Sequence, residues 1–130
     1  MSKDFLLSIF NKVKEKGILD EELVKYFDNI FLDKSINILE VIKRGITKYR
    51  YKPSNRTIWT AIGQNDEYLI HPKMYCSCKD FHMNVVIERK RNFCKHILAQ
   101  IICEALDNYQ QVELEDYEFK NLIEELKLNI

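Results

Sequence analysis

The chain has 130 residues, 46% of them hydrophobic, with 20 Lys and Arg balancing 20 Asp and Glu. That length suits one domain, large enough to bury a core and small enough for a bound metal to supply much of its stability. The apolar runs fall far short of the roughly 20 residues that cross a bilayer, and "MSKDFLLSIFNKVKEKG" scatters lysines where a secretory signal needs an unbroken apolar core. The expectation is a cytoplasmic protein, nucleoid-associated if it binds DNA, with no membrane partner. In a reducing compartment, paired cysteines point to metal ligation or redox chemistry rather than to disulfides.

In chain order, Phe5, Leu6, Ile9, Phe10 and Val13 recur at helical spacing and Gly17 is a natural stop. Asp20 reads as the N-cap of a second helix, with Glu21 and Glu22 in its first turn and Leu23, Phe27, Ile30 and Phe31 inward. A break is expected around Asp33 to Ser35. The apolar face resumes with Ile38, Leu39, Val41 and Ile42 and ends at Lys43, Arg44 and Gly45.

The period then changes from 3.6 to two. "ITKYRY", "RTIWTAI" and "EYLIH", separated by the turn-forming "KPSN" and "GQND", predict a small antiparallel meander. After "CKH" the helical period returns, with Ile97, Leu98, Ile101, Ile102 and Ala105 on one side. A last helix is predicted from about Glu115 to Leu128, with Phe119, Leu122, Ile123 and Leu126 on one face. The expected class is α+β in a single domain: a helical N-terminal part (1–45), a central ββα-like part that holds the meander and the following helix (46–109) and a C-terminal helix (110–130).

The chemistry lies in "YCSCKDF" and "NFCKHILAQ". Cys76 and Cys78 are two apart, so at a strand end both sulfurs point to one face. Cys94 and His96 have the same spacing, which on a continuous helix would set them on nearly opposite sides. Cys94 must therefore precede the helix, with His96 in its first turn. The resulting Cys3His set suits zinc, and Lys79 and Lys95 beside two ligands partly offset the excess thiolate charge. An iron–sulfur cluster is the chemical alternative for the same donors. His82, four residues after Cys78, competes as a ligand; His71 reads as a strand-end residue and Cys103 as a small buried hydrophobe.

The order C-x-C, spacer, C-x-H, x-x-A resembles the SWIM zinc-finger family, here as Cys76, Cys78, Cys94, His96 and Ala99. Asp80 and Phe81 after the second cysteine, and the wording "CKHILAQII", add to the likeness, which covers 57–105. The resemblance favours His96 over His82. It also gives Ala99 a role: one turn past His96, a small side chain lets the finger hairpin pack closely. The long spacer departs from the family pattern, and its "MNVVIERKRN" is expected to form a hairpin or a mobile loop.

Although the chain is neutral, 43–95 holds twelve Lys and Arg against four Asp and Glu, and the flanks cancel the excess. Lys48, Arg50 and Lys52 alternate on one strand face opposite Tyr49 and Tyr51, and Arg89, Lys90 and Arg91 lie near the cysteines. Such groups suit the phosphates of DNA, with single strands read by stacking on the aromatics; a charged sheet edge kept against aggregation accounts for them equally. No phosphate-binding glycine loop or nucleophile elbow is present, and four protein ligands leave a metal no open position, so no enzyme is expected. A small stand-alone SWIM protein, of archaeal type or similar to the SWIM subunit of Shu-type complexes, implies an accessory factor in homologous recombination that partners a RecA-family recombinase paralogue. The competing expectation is a self-sufficient DNA-binding regulator, cellular or viral.

Overall fold

A computed structural model describes residues 2–30, 35–89 and 93–128. Helix α1 (Ser2–Lys16) buries Leu6, Ile9 and Val13, the i, i+3, i+7 stripe of the sequence, and ends where Gly17 takes a positive φ of 78° and donates to the Val13 carbonyl. Asp20 caps α2 (Glu21–Ile30): its Oδ1 accepts the Leu23 N–H at 3.0 Å, while Lys16 bridges Asp20 and Glu22 across the turn. Phe31 to Lys34, where a break was expected, lie outside the described residues. Helix α3 (Ser35–Arg44) starts with the Ser35 N–H on Asp28 Oδ1 at 2.8 Å and buries Ile38 and Val41.

The expected meander is present as β1 (Ile46–Lys52), β2 (Arg56–Ile62), β3 (Glu67–His71) and the short β4 (Tyr75–Cys76), each antiparallel to the one before. Two elements differ from the sequence expectation. The helix expected from Glu115 begins at Phe119 (α5, Phe119–Leu128), behind a 3-10 turn (Asp116–Glu118) and a fifth strand, β5 (Gln110–Glu115). That strand pairs parallel to β1, giving the order β4-β3-β2-β1-β5. "QQVELE" offers only Val112 and Leu114 to the apolar side, and a parallel partner some sixty positions earlier leaves no local trace. Nor is the described part of the spacer, up to Arg89, the expected hairpin or mobile loop. Phe81–Ile87 forms a helix with π-type bonding, in which the Glu88 N–H reaches back to the Met83 carbonyl at 2.9 Å.

Helix α4 (Lys95–Ala105) is the spine of the molecule. Every residue from His96 to Cys103 is buried, including Gln100, so the one-sided helix read from the apolar period is covered all round. It lies on the sheet face that carries Ile46, Trp59, Ala61, Ile70 and Cys76, and α1 and α3 pack on its outer side. At its far end Trp59 meets Tyr109 edge-on at 4.9 Å. On the opposite face α5 sets Phe119 against the fully buried Tyr51 at 5.1 Å. One continuous apolar cluster thus runs from Leu6 through Phe27 to Cys76, Cys94 and Cys103. Among the described residues no helix is long and apolar enough to cross a membrane.

Candidate metal centre

Cys76 ends β4 opposite Ile70, on the helix-facing side of the sheet, and Cys78 follows two residues later as the chain leaves the strand. Cys94 occupies the N-cap of α4 in extended backbone (φ −114°, ψ 173°), and His96 stands in the first turn, as the spacing requires. One ligand atom from each of Cys76, Cys78, Cys94 and His96 lies within 4.8 Å of the others, and all four side chains are buried. Four ligands about 2.3 Å from one ion are separated by roughly 3.8 Å in a tetrahedron, so the cluster has the dimensions of a single-ion site. Soft thiolates with one imidazole suit zinc in closed, structural coordination. His71 and His82 are exposed and outside the set, and Cys103 is a separate buried thiol whose pKa burial pushes up to about 12.

The surroundings fit such an ion. The Phe81 N–H donates to Cys78 Sγ at 3.3 Å, and Cys94 Sγ lies 3.8 Å from His96 Nδ1. Hydrogen bonds from Cys76, then Cys94 and His96, pull the Cys78 thiol well below its ordinary range; the bond to Cys78 pushes Cys76 up to about 12, and burial, followed by the other two sulfurs, raises Cys94. Three thiols crowded in a dry pocket ionise together only when a cation balances them, which is the service a dication performs. Ala99 is wholly buried one turn beyond His96, in the helix that carries His96 and that Cys94 precedes as N-cap.

Tyr68 is a site residue that sequence reading missed. Its ring packs on His96 with centroids 4.7 Å apart, and only the β2–β3 register brings it there. Gly63 makes room for it: a Cβ at that position would stand 2.6 Å from Tyr68 Cε2 and 3.0 Å from the Asp66 carbonyl, which already accepts the Gly63 N–H. Gly63→Ala is therefore expected to drive Tyr68 into His96 or open the turn, at a cost of about 1–3 kcal/mol, with weaker retention of metal. Denaturant unfolding of the zinc-loaded protein and competition with a chromophoric chelator measure both; unchanged values would show that Tyr68 does not brace the histidine.

The basic residues are not gathered in this way. Lys48, Arg50 and Lys52 share one face of β1, but β1 is interior to the sheet, so a charged edge does not describe them. Arg50 stands beside Glu113 and Lys52 beside Glu115 in the β5 register, and Lys48 Nζ lies over Trp59 and Tyr109 at 5.5 and 5.9 Å. Tyr49 is half-buried and donates its hydroxyl to Glu67 at 3.0 Å, and Tyr51 is buried, so its ring offers no free stacking surface. Arg89 is exposed beyond the finger helix, which adjoins β4 at the other side of the sheet. Lys90 and Arg91 lie outside the described residues.

A protein of Dictyostelium discoideum named zinc finger SWIM domain-containing protein 7 homolog is 32% identical to this chain over 123 residues, covering 92% of the chain and 78% of its own length. This chain belongs to the SWIM zinc-finger family. Mouse zinc finger SWIM domain-containing protein 7 matches at 24% identity over 125 residues (95% of this chain, 82% of its own), and the human protein of that name at 20% over 123 residues (93% and 88%). No family model matches the sequence, and no solved structure matches the fold. Membership agrees with the geometry: the SWIM residues Cys76, Cys78, Cys94 and His96 are the four that converge.

Proposed function

We propose that this SWIM protein is a non-catalytic, zinc-folded accessory factor in DNA repair by homologous recombination, acting by binding a RecA-family recombinase paralogue. The observation that carries the reading is the closed, buried ligand set: with Cys76, Cys78, Cys94 and His96 all on one ion, no position remains for water or substrate, so the metal holds a shape rather than performing chemistry. The relatives are themselves little longer than this unit, which spans 78 to 88% of their lengths.

Direct DNA binding is secondary in this reading. Glu113 and Glu115 beside Arg50 and Lys52 offset two of the three positive charges on that strand face that phosphates would seek. Affinity purification of the full chain from native extract, followed by mass spectrometry, tests the proposal, and a recombinase paralogue near one-to-one ratio is the expected result. If none appears and the pure chain instead protects duplex DNA as a symmetric dimer, with affinity falling by a log–log salt slope near −0.9 per phosphate, the protein is a DNA-binding regulator.

A further inference from the structure

The finger presents apolar side chains that the metal site does not use. In the Phe81–Ile87 helix, Phe81 is buried and Val85 packs on the core, whereas Met83, Val86 and Ile87 are 48, 51 and 56% exposed, so they share the outward side. Tyr75, packed edge-on against Phe81 at 5.5 Å, extends this surface to the β3–β4 turn, where Met74 is 66% exposed. Single exposed apolar residues are ordinary, but a cluster on one short element marks a contact surface, and methionine adapts to partners of varied shape. The N-terminal end of the helix is tied to a metal ligand, since the Phe81 N–H rests on Cys78 Sγ.

The sequence stretch that carries the cluster has one sign of charge in excess. Lys and Arg at 73, 79, 89, 90, 91 and 95 outnumber Asp80 and Glu88 over the same stretch, and the Asp80 carboxylate already accepts from Asn84 Nδ2 at 2.7 Å. We propose that the outward face of the finger helix, formed by Met83, Val86 and Ile87 with Met74 and Tyr75, docks an acidic segment of a partner protein that carries large apolar anchors. Aliphatic side chains gain from burial against apolar groups and nothing from phosphate, which favours a polypeptide over nucleic acid. A second copy meeting the face symmetrically would set basic rim against basic rim. A seven-residue helix is also short for an amphipathic segment lying in a lipid surface.

This inference rests on reading the protein as a binding module, but its test is separate. A phage-displayed library of random peptides is selected on the zinc-loaded full chain. Peptides rich in Asp and Glu with two or more large apolar residues should be enriched, and they should lose roughly tenfold or more in affinity for the Met83→Asp/Ile87→Asp variant at unchanged zinc content. Met83→Ser/Ile87→Ser, which adds no charge, should show a similar loss, Lys79→Glu/Arg89→Glu a smaller and salt-dependent one, and Lys48→Glu none. The proposal is overturned if no such peptides are enriched, or if they bind the apolar variants as well as the parent. It is also overturned if those variants change the sedimented mass, oligonucleotide affinity or retention on phosphatidylserine vesicles instead. A recombinase paralogue still captured by Met83→Asp/Ile87→Asp would sink the docking face and spare the proposed function, while acidic peptides lost on mutation without any such paralogue in extract would do the reverse.

Discussion

Cys94→Ser is expected to yield a protein without zinc and without a folded finger. Cys94 does two jobs at one point: its sulfur belongs to the ligand cluster, and its carbonyl accepts the Leu98 N–H at 3.2 Å in the first turn of α4. A structural zinc of this kind is worth ~10 kcal/mol or more of folding free energy, against a whole-domain stability of about 5–15 kcal/mol. The loss therefore spreads beyond the finger, because α4 is the helix on which α1, α3 and the sheet all pack. Metal analysis together with circular dichroism checks this; one zinc per chain and parental melting in Cys94→Ser would refute the ligand assignment, and visible absorbance requiring iron would point to a cluster instead.

The same site sets a pH dependence. Without metal, Cys76 is pushed up to about 12 and Cys94 is raised, so both carry protons at neutral pH, whereas Cys78 is lowered. A metal must displace the protons of the raised thiols, about two per site, so its apparent affinity rises with pH and falls as acid is added. Each pH unit lost near neutrality should weaken binding by about a hundredfold, the consequence of two released protons, and chelator competition between pH 6 and 8 reads that slope.

Phe27→Ala is the second large effect, in a region far along the chain from the ligands. Phe27 is 1% exposed in α2 and belongs to the same apolar cluster as Cys76, Cys94 and Cys103. Truncating a buried phenylalanine leaves a cavity and costs about 3–5 kcal/mol. If the N-terminal helices and the finger form one folding unit, the variant should still unfold in one transition, with zinc release coinciding with loss of helicity at a lower denaturant concentration. Two separate transitions, with zinc retained through the first, would divide the chain into two units.

Local rules made much of this protein readable from its residues. Gly17, Asp20 and Gly45 end or cap helices through their own backbone and side-chain preferences, and each does so in the fold. The two C-x-C/H spacings carry their own geometry, because a strand end and a helix N-terminus each admit only one way for residues two apart to converge. What depended on partners distant in sequence was decided by the tertiary structure alone. Strand β5 exists because β1 supplies its hydrogen bonds, and the spacer became a helix whose Phe81 is buried against the finger. Tyr68 reached His96 only through the β2–β3 register. The basic stretch of the sequence was likewise divided by the sheet: one group shares β1's face with acids of β5, and Arg89 stands at the β4 side, since charge density along a chain says nothing about which strands become neighbours.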